Sequence, residues 1–264
     1  MKKAILLPML LFILGANAQG DLTTLLETTH TSIDVKIHVA DRLDAFVLSV
    51  AASHKQETPR LRKIFNGLHK SFLKKYEAYS DFDEIFSKGQ YDCLTATALF
   101  SNVLDRFHYS YKIIETNYHI FLIVKTSEGE VMIETTDRLG GFITRPAAIR
   151  QRIQEYKKNI PVNNHSNGII YQYAFSLYQE ISGENLSGLL YFNQAVKAYN
   201  RHDWMSCSIL LEKANLLYSS PRCEALGSLL IQTISESSLG QKEKADCLVR
   251  LKIFLLRKSD LASN

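Results

Sequence analysis

Between Tyr111 and Thr135 the apolar residues change their period from helical to extended. Three runs there, Tyr111 to Glu115, Tyr118 to Lys125 and Glu130 to Thr135, are rich in Ile, Val, Thr and aromatics. Ser127-Glu128-Gly129 separates the second run from the third, the signature of a β-hairpin. On either side the spacing is helical. Ile37, Val39, Leu43, Phe46, Val47 and Val50 predict a helix within Ser32 to Ser53. Leu61, Phe65, Leu68, Phe72 and Tyr76 line one face of the next, capped by Thr58 with Pro59 in its first turn. After a break at Ser87 to Asp92, Cys93 begins a further helix whose buried side carries Leu94, Ala98, Val103, Leu104 and Phe107. Helices resume beyond Pro146, pause in the polar loop 159–168, and continue from Asn185 with breaks at Ser219-Ser220-Pro221 and near Gly240. Helices, a Cys-led helix and then adjacent strands predict an α+β domain, with an all-α region behind it.

The N-terminus reads as an export signal over residues 1–18. Lys2 and Lys3 precede an apolar run from Ala4 to Gly15, and Ala16-Asn17-Ala18 has the small-x-small pattern that signal peptidase accepts. The run falls short of the roughly 20 residues a membrane-spanning helix needs, and Pro8 interrupts it. Position 19 is Gln, so lipoprotein processing is not indicated. No later stretch is apolar enough to span a bilayer, so the expectation is an exported chain, periplasmic or secreted, with no membrane span once the signal is removed. The formal charge of +4 falls to +2 without Lys2 and Lys3, too small an excess to make nucleic acid the main partner.

Export governs how the four cysteines are read. None lies in a CxxC pair, which excludes zinc-ribbon and thioredoxin-like motifs, and no metal site is expected. Cys207, Cys223 and Cys247 share the C-terminal region, where an oxidising compartment allows two of the three to bridge. Cys93 stands apart. It begins a helix, where unpaired N–H groups and the positive end of the dipole favour thiolate over thiol. His119 sits early in a strand, and the following strand ends in IETTD, with Glu134 and Asp137. An imidazole beside a thiol takes its proton, and a carboxylate on the far ring nitrogen fixes that imidazole's tautomer. Pairing of the two strands brings His119 close to the end of the second. His108, the competing base, lies about four turns along the helix from Cys93, roughly 20 Å away.

The residues GQYDCLTATALFSNVLDRF, NYHIFLIV and VMIETTD, in that order, resemble the transglutaminase-like superfamily, whose catalytic core is related to papain-like cysteine proteases. The resemblance covers roughly residues 85 to 145. It implies a Cys-led helix packed on a small antiparallel sheet, with Cys93 as nucleophile, His119 as base then acid, and Glu134 as orienting carboxylate. Asp137 is the reserve for that last role. The Trp usual two residues after the His is Phe121 here, and Glu stands where the family usually has Asp. An oxyanion hole would use the Cys93 N–H and one further donor, for which Gln90 is the candidate. The resemblance implies no cofactor, and no acidic calcium cage is visible.

In the C-terminal region, Tyr191, Ala195, Trp204, Cys207, Leu211 and Ala214 resemble the spacing of a tetratricopeptide helix pair, though Gln194, Ala195 and Ala198 replace its usual Leu, Gly and Tyr. Two units are therefore expected, a transglutaminase-like domain over 19–160 and a helical region over 169–264. The function expected is an exported cysteine peptidase or amidase acting on a peptide or protein amide through a thioester. The alternative is a non-catalytic scaffold of the same fold whose helices grip a protein partner, with Tyr171, Tyr173, Tyr178, Tyr191 and Tyr199 as the candidate surface.

Overall fold

In the computed structural model, which describes residues 21–29, 31–52, 56–158 and 176–262, three helices come first: α1 (Leu22–Glu27), α2 (Ile33–Ala51) and α3 (Glu57–Ser71). The expected export signal, the polar loop at 159–168, Tyr171 and Tyr173 lie outside the described residues. Helix α3 starts two residues earlier than expected. Gln56 occupies the cap position with an extended backbone, which puts Thr58 and Pro59 inside the first turn. Pro59 costs no bond there, because the first-turn N–H groups have no acceptor within the helix. The helix stops at Ser71, and the N–H groups of Lys74 and Lys75 turn to the Gly89 carbonyl instead. Tyr76, expected on the helix face, therefore falls in the short strand β1 (Lys75–Tyr76).

Next come α4 (Glu84–Ser87), then β2 (Gln90–Tyr91), which pairs in parallel with β1, and then α5 (Cys93–Arg106). The period change downstream produces β3 (Ser110–Thr116), β4 (Ile120–Thr126) and β5 (Gly129–Ile133), with the predicted hairpin between β4 and β5. The short strand β6 (Phe142–Ile143) and helix α6 (Pro146–Lys157) follow. Strand β7 (Tyr178–Ile181) precedes α7 (Gly183–Asn200), α8 (Trp204–Leu217), α9 (Pro221–Glu236) and α10 (Gln241–Ala262). The sheet is antiparallel throughout, in the order β6-β5-β4-β3-β7. The region from 169 onward, expected to be wholly helical, thus supplies an edge strand to the sheet.

Strand β4 is apolar on both faces because both are covered. Ile120, Leu122 and Val124 enter the main core with α5, α3 and α2, while Phe121 and Ile123 face a second core with Ile149 of α6. The half of α7 carrying Leu186, Leu189 and Leu190 belongs to the main core. Its far half carries Phe192, Ala195 and Ala198 into a third core with Cys207, Leu211, Cys223 and Cys247. No helix among the described residues is long and apolar enough to cross a membrane.

Candidate active site

Helix α5 opens with a capping box at Asp92. Its Oδ1 accepts from the Thr95 backbone N–H at 2.8 Å, and the Thr95 hydroxyl oxygen accepts from the Asp92 N–H at 2.9 Å. The cap makes Cys93 the first helical residue, half-buried at the positive end of the helix. Asn193 of α7 donates to Asp92 Oδ2 at 2.9 Å. Burial still wins over these bonds and pushes the Asp92 carboxyl up to about 6.

His119 lies one residue before β4, in a tight return from β3. Its N–H donates to Thr116 Oγ1 at 3.1 Å, and its carbonyl accepts from the Thr116 N–H at 2.8 Å. Glu134 lies one residue after β5, and a closed loop holds it. The Glu134 N–H donates to the Gly141 carbonyl and the Gly141 N–H to the Asp137 carbonyl, each at 2.8 Å. The β4–β5 register, with Leu122 opposite Ile133, then sets the two side chains at the same end of the sheet. His119 Nε2 and Glu134 Oε2 are 2.5 Å apart. The Cys93 side chain lies beside the His119 ring, close enough to act on its protonation. With Nε2 on Glu134, Nδ1 is the nitrogen left for the sulfur. The Thr135 hydroxyl donates to the Cys93 carbonyl at 3.4 Å, tying the Glu134 loop to the start of α5.

The pair is nearly sealed, with His119 11% and Glu134 2% exposed. Burial alone would push the His119 imidazolium down. The Glu134 charge, the neighbouring Cys93 side chain and the hydrogen bond to Glu134 overcome it and raise His119 well above the usual histidine range. Burial likewise opposes the Glu134 carboxylate, yet the His119 charge and the bonds from His119, Tyr156 and Thr136 hold it below the usual range. Thiol, imidazole and carboxylate therefore stand in one line, with the His119–Glu134 hydrogen bond at its buried end.

Asp137, the reserve carboxylate, is not in that line. Its Oδ1 accepts from the Gly140 N–H at 2.8 Å and closes the turn after Glu134. Gln90 falls in β2, half-buried and three residues ahead of Cys93. His108 is exposed at the far end of α5. The site also contains groups invisible to the sequence reading. Tyr156 of α6 donates to Glu134 Oε2 at 2.6 Å, and Thr136 donates to Glu134 Oε1 from its N–H at 3.1 Å and from its hydroxyl at 2.7 Å. Thr136 could have been found as an ST-type turn donor in IETTD. Tyr156, 22 positions from Glu134, and Asn193, 101 from Asp92, carry no local signal.

All four cysteines are free thiols, with Cys207, Cys223 and Cys247 buried. Among the described residues no cluster of three or more His, Cys, Asp or Glu could hold a metal ion. Of the tyrosines considered as a docking surface, Tyr191 donates to the Glu27 carbonyl, Tyr199 packs on Trp204, and Lys157 sits over the Tyr178 ring. No protein-family model, no curated protein and no solved structure matches this chain.

Proposed function

We propose that the chain is an exported cysteine hydrolase of transglutaminase-like type, acting on a peptide or protein amide. The observation that supports it is the line from Cys93 through His119 to the buried Glu134. In this reading the Cys93 sulfur attacks the amide carbonyl carbon, forming a C–S bond and an oxyanion. The Cys93 N–H, a first-turn donor without an acceptor inside the helix, would serve that oxyanion, while the Thr95 N–H is taken by Asp92. The His119 imidazolium gives its proton to the leaving nitrogen as the C–N bond breaks, leaving a thioester. A water then adds to the thioester carbonyl with His119 accepting its proton, and the C–S bond breaks to restore the thiolate. Glu134 keeps Nδ1 aimed at the sulfur throughout and stabilises the imidazolium that stands before acylation and forms again as water attacks.

Iodoacetamide labelling of the folded protein, with Cys93 mapped by mass spectrometry, tests this. An ordinary thiol reacts well only near its usual pKa of about 8.5. Fast labelling of Cys93 that persists at pH 6, and falls roughly a hundredfold in His119→Ala, is the expected result. Slow labelling indifferent to His119 would remove the enzyme reading. Cleavage after Ala18 belongs to the same proposal, and an N-terminal sequence of exported protein starting at Gln19 checks it.

A further inference from the structure

Glu134 is held from two sides, and the side away from the β5 loop is Tyr156. Its ring lies 4.8 Å from the His119 ring and 5.1 Å from that of Phe121, covering the His119–Glu134 bond on the α6 face of the sheet. Its hydroxyl shares Glu134 Oε2 with His119, while Thr136 occupies Oε1. Both carboxylate oxygens are thus fully engaged, and the plane of the carboxylate cannot turn without breaking a bond. The direction of the Tyr156 hydrogen bond is also settled. The ionised Glu134 carboxylate can only accept, so the Tyr156 hydroxyl is the donor. The tyrosine proton therefore points at Glu134. Ile149 and Ile153 root this stretch of α6 in the second core, so the hydroxyl is set by packing rather than by a mobile surface side chain.

We infer that Tyr156 is a positioning residue for the catalytic line, fixing which oxygen and which plane of Glu134 face His119 and excluding water from their bond. The inference rests on the cysteine-hydrolase reading, because it matters only if the orientation of His119 sets the reactivity of Cys93. Tyr156 touches neither Cys93 nor a substrate in this scheme, its ring lies against His119, and its hydroxyl acts through Glu134 alone. A hydroxyl that acts only through Glu134 has nothing to contribute once that carboxylate is gone.

A double-mutant cycle on Cys93 labelling tests this, using Tyr156→Phe, Glu134→Gln and the two together, with thermal melts to establish that each folds. Tyr156→Phe keeps the ring and removes one hydrogen bond to a charged group, so it is expected to slow labelling at pH 6 roughly tenfold in the otherwise unaltered protein. In the Glu134→Gln background the same change should cost nothing. A structural role would instead lower the melting temperature and leave the labelling rates unchanged or additive. Equal rates in Tyr156→Phe and the parent, or losses that multiply across the two sites, would overturn the inference while leaving the hydrolase reading standing. Slow, His119-independent labelling of the parent would overturn both. If Tyr156→Phe does not fold, 3-fluorotyrosine at 156 serves, since it keeps ring and hydroxyl and only strengthens the donor. It should change the parent rate and leave the Glu134→Gln rate alone, and an unchanged parent rate counts against the inference.

Discussion

His69 and Glu134 are both buried polar side chains close to the same loop, and they are treated in opposite ways. Glu134 receives a partner on each oxygen. Among the described residues neither ring nitrogen of His69 has one, and the ring lies between Phe65 and Phe100 at 1% exposure. Burial, assisted by Arg138 and opposed by Asp137 and Glu134, pushes His69 down to about 4. The unfolded chain binds that proton near 6.5, so stability is complete above that pH and declines as pH falls towards 4. His69→Leu should therefore stabilise by about 1–2 kcal/mol at neutral pH, with an advantage that grows on acidification. Urea unfolding at pH 7 and pH 5 would show it, and a shrinking advantage at pH 5 would refute the assignment. The His119–Glu134 pair titrates the other way round. His119 is raised, so its contribution is present below 6.5 and lost only at high pH, and Glu134 is lowered, so its contribution is present above 4.5 and lost only in strong acid. Reactivity of Cys93 that depends on this pair should accordingly hold across the whole neutral range in labelling measurements.

Helix α5 shows how an element places Cys93 by being specified at both ends. Its start was legible, because Asp92 and Thr95 form a capping box that leaves Cys93 at the first helical position. Its end falls where the sequence places it, next to His108, but the terminating left-handed residue is His108 itself, at φ 57°, where glycine is the usual choice. The Tyr109 N–H still returns to the Leu104 carbonyl at 3.1 Å. His108→Gly should relieve that backbone and raise stability by about 0.5–1 kcal/mol, with no change in Cys93 labelling. The loop after β5 is less forgiving. A Cβ on Gly141 would collide with the carbonyl oxygens of Glu134 and Asp137, whose turn it closes. Gly141→Ala is therefore expected to cost about 2–4 kcal/mol and to slow Cys93 labelling together with it, because Glu134 moves with the loop. A stable variant labelled at the parent rate would show the loop to be slack.

Over the whole molecule, the helical region is fastened to the sheet by buried charge. Arg222 of α9 has its Nε 2.9 Å from Glu115 Oε1 on β3, with side chains 14% and 1% exposed. Arg222 also donates to the Thr116 carbonyl, one turn of chain from His119, and Tyr218 donates to Glu115 Oε2 at 2.6 Å. Asn193 of α7 holds the Asp92 cap from the same side. Arg222→Met would leave Glu115 buried without its countercharge, at a cost of about 3–5 kcal/mol. For a chain of this size that is a fall of roughly 10 °C in melting temperature. A loss under about 1 kcal/mol in calorimetry would mean that the Arg222–Glu115 pair does not help to fasten the two regions. Strand β7 and the shared helix α7 make the same point about construction. The part of the chain expected to stand behind the α+β unit is built into its sheet and its main core.

Local pattern was enough to determine the α+β class, the Cys-led helix and the β4–β5 hairpin, because each depends on period or turn chemistry within a few positions, while Cys93, His119 and Glu134, ahead of Asp137, were singled out by the family resemblance. Seating Glu134 rather than Asp137 on the imidazole required the fold, since both carboxylates lie in one short loop and only the β4–β5 register and the Gly141 closure decide which one reaches it. Tyr156 on Glu134, Asn193 on Asp92 and Arg222 on Glu115 were likewise settled in three dimensions. A buried carboxylate must find donors wherever packing offers them, and those donors come from helices far along the chain that nothing in the local sequence connects to it.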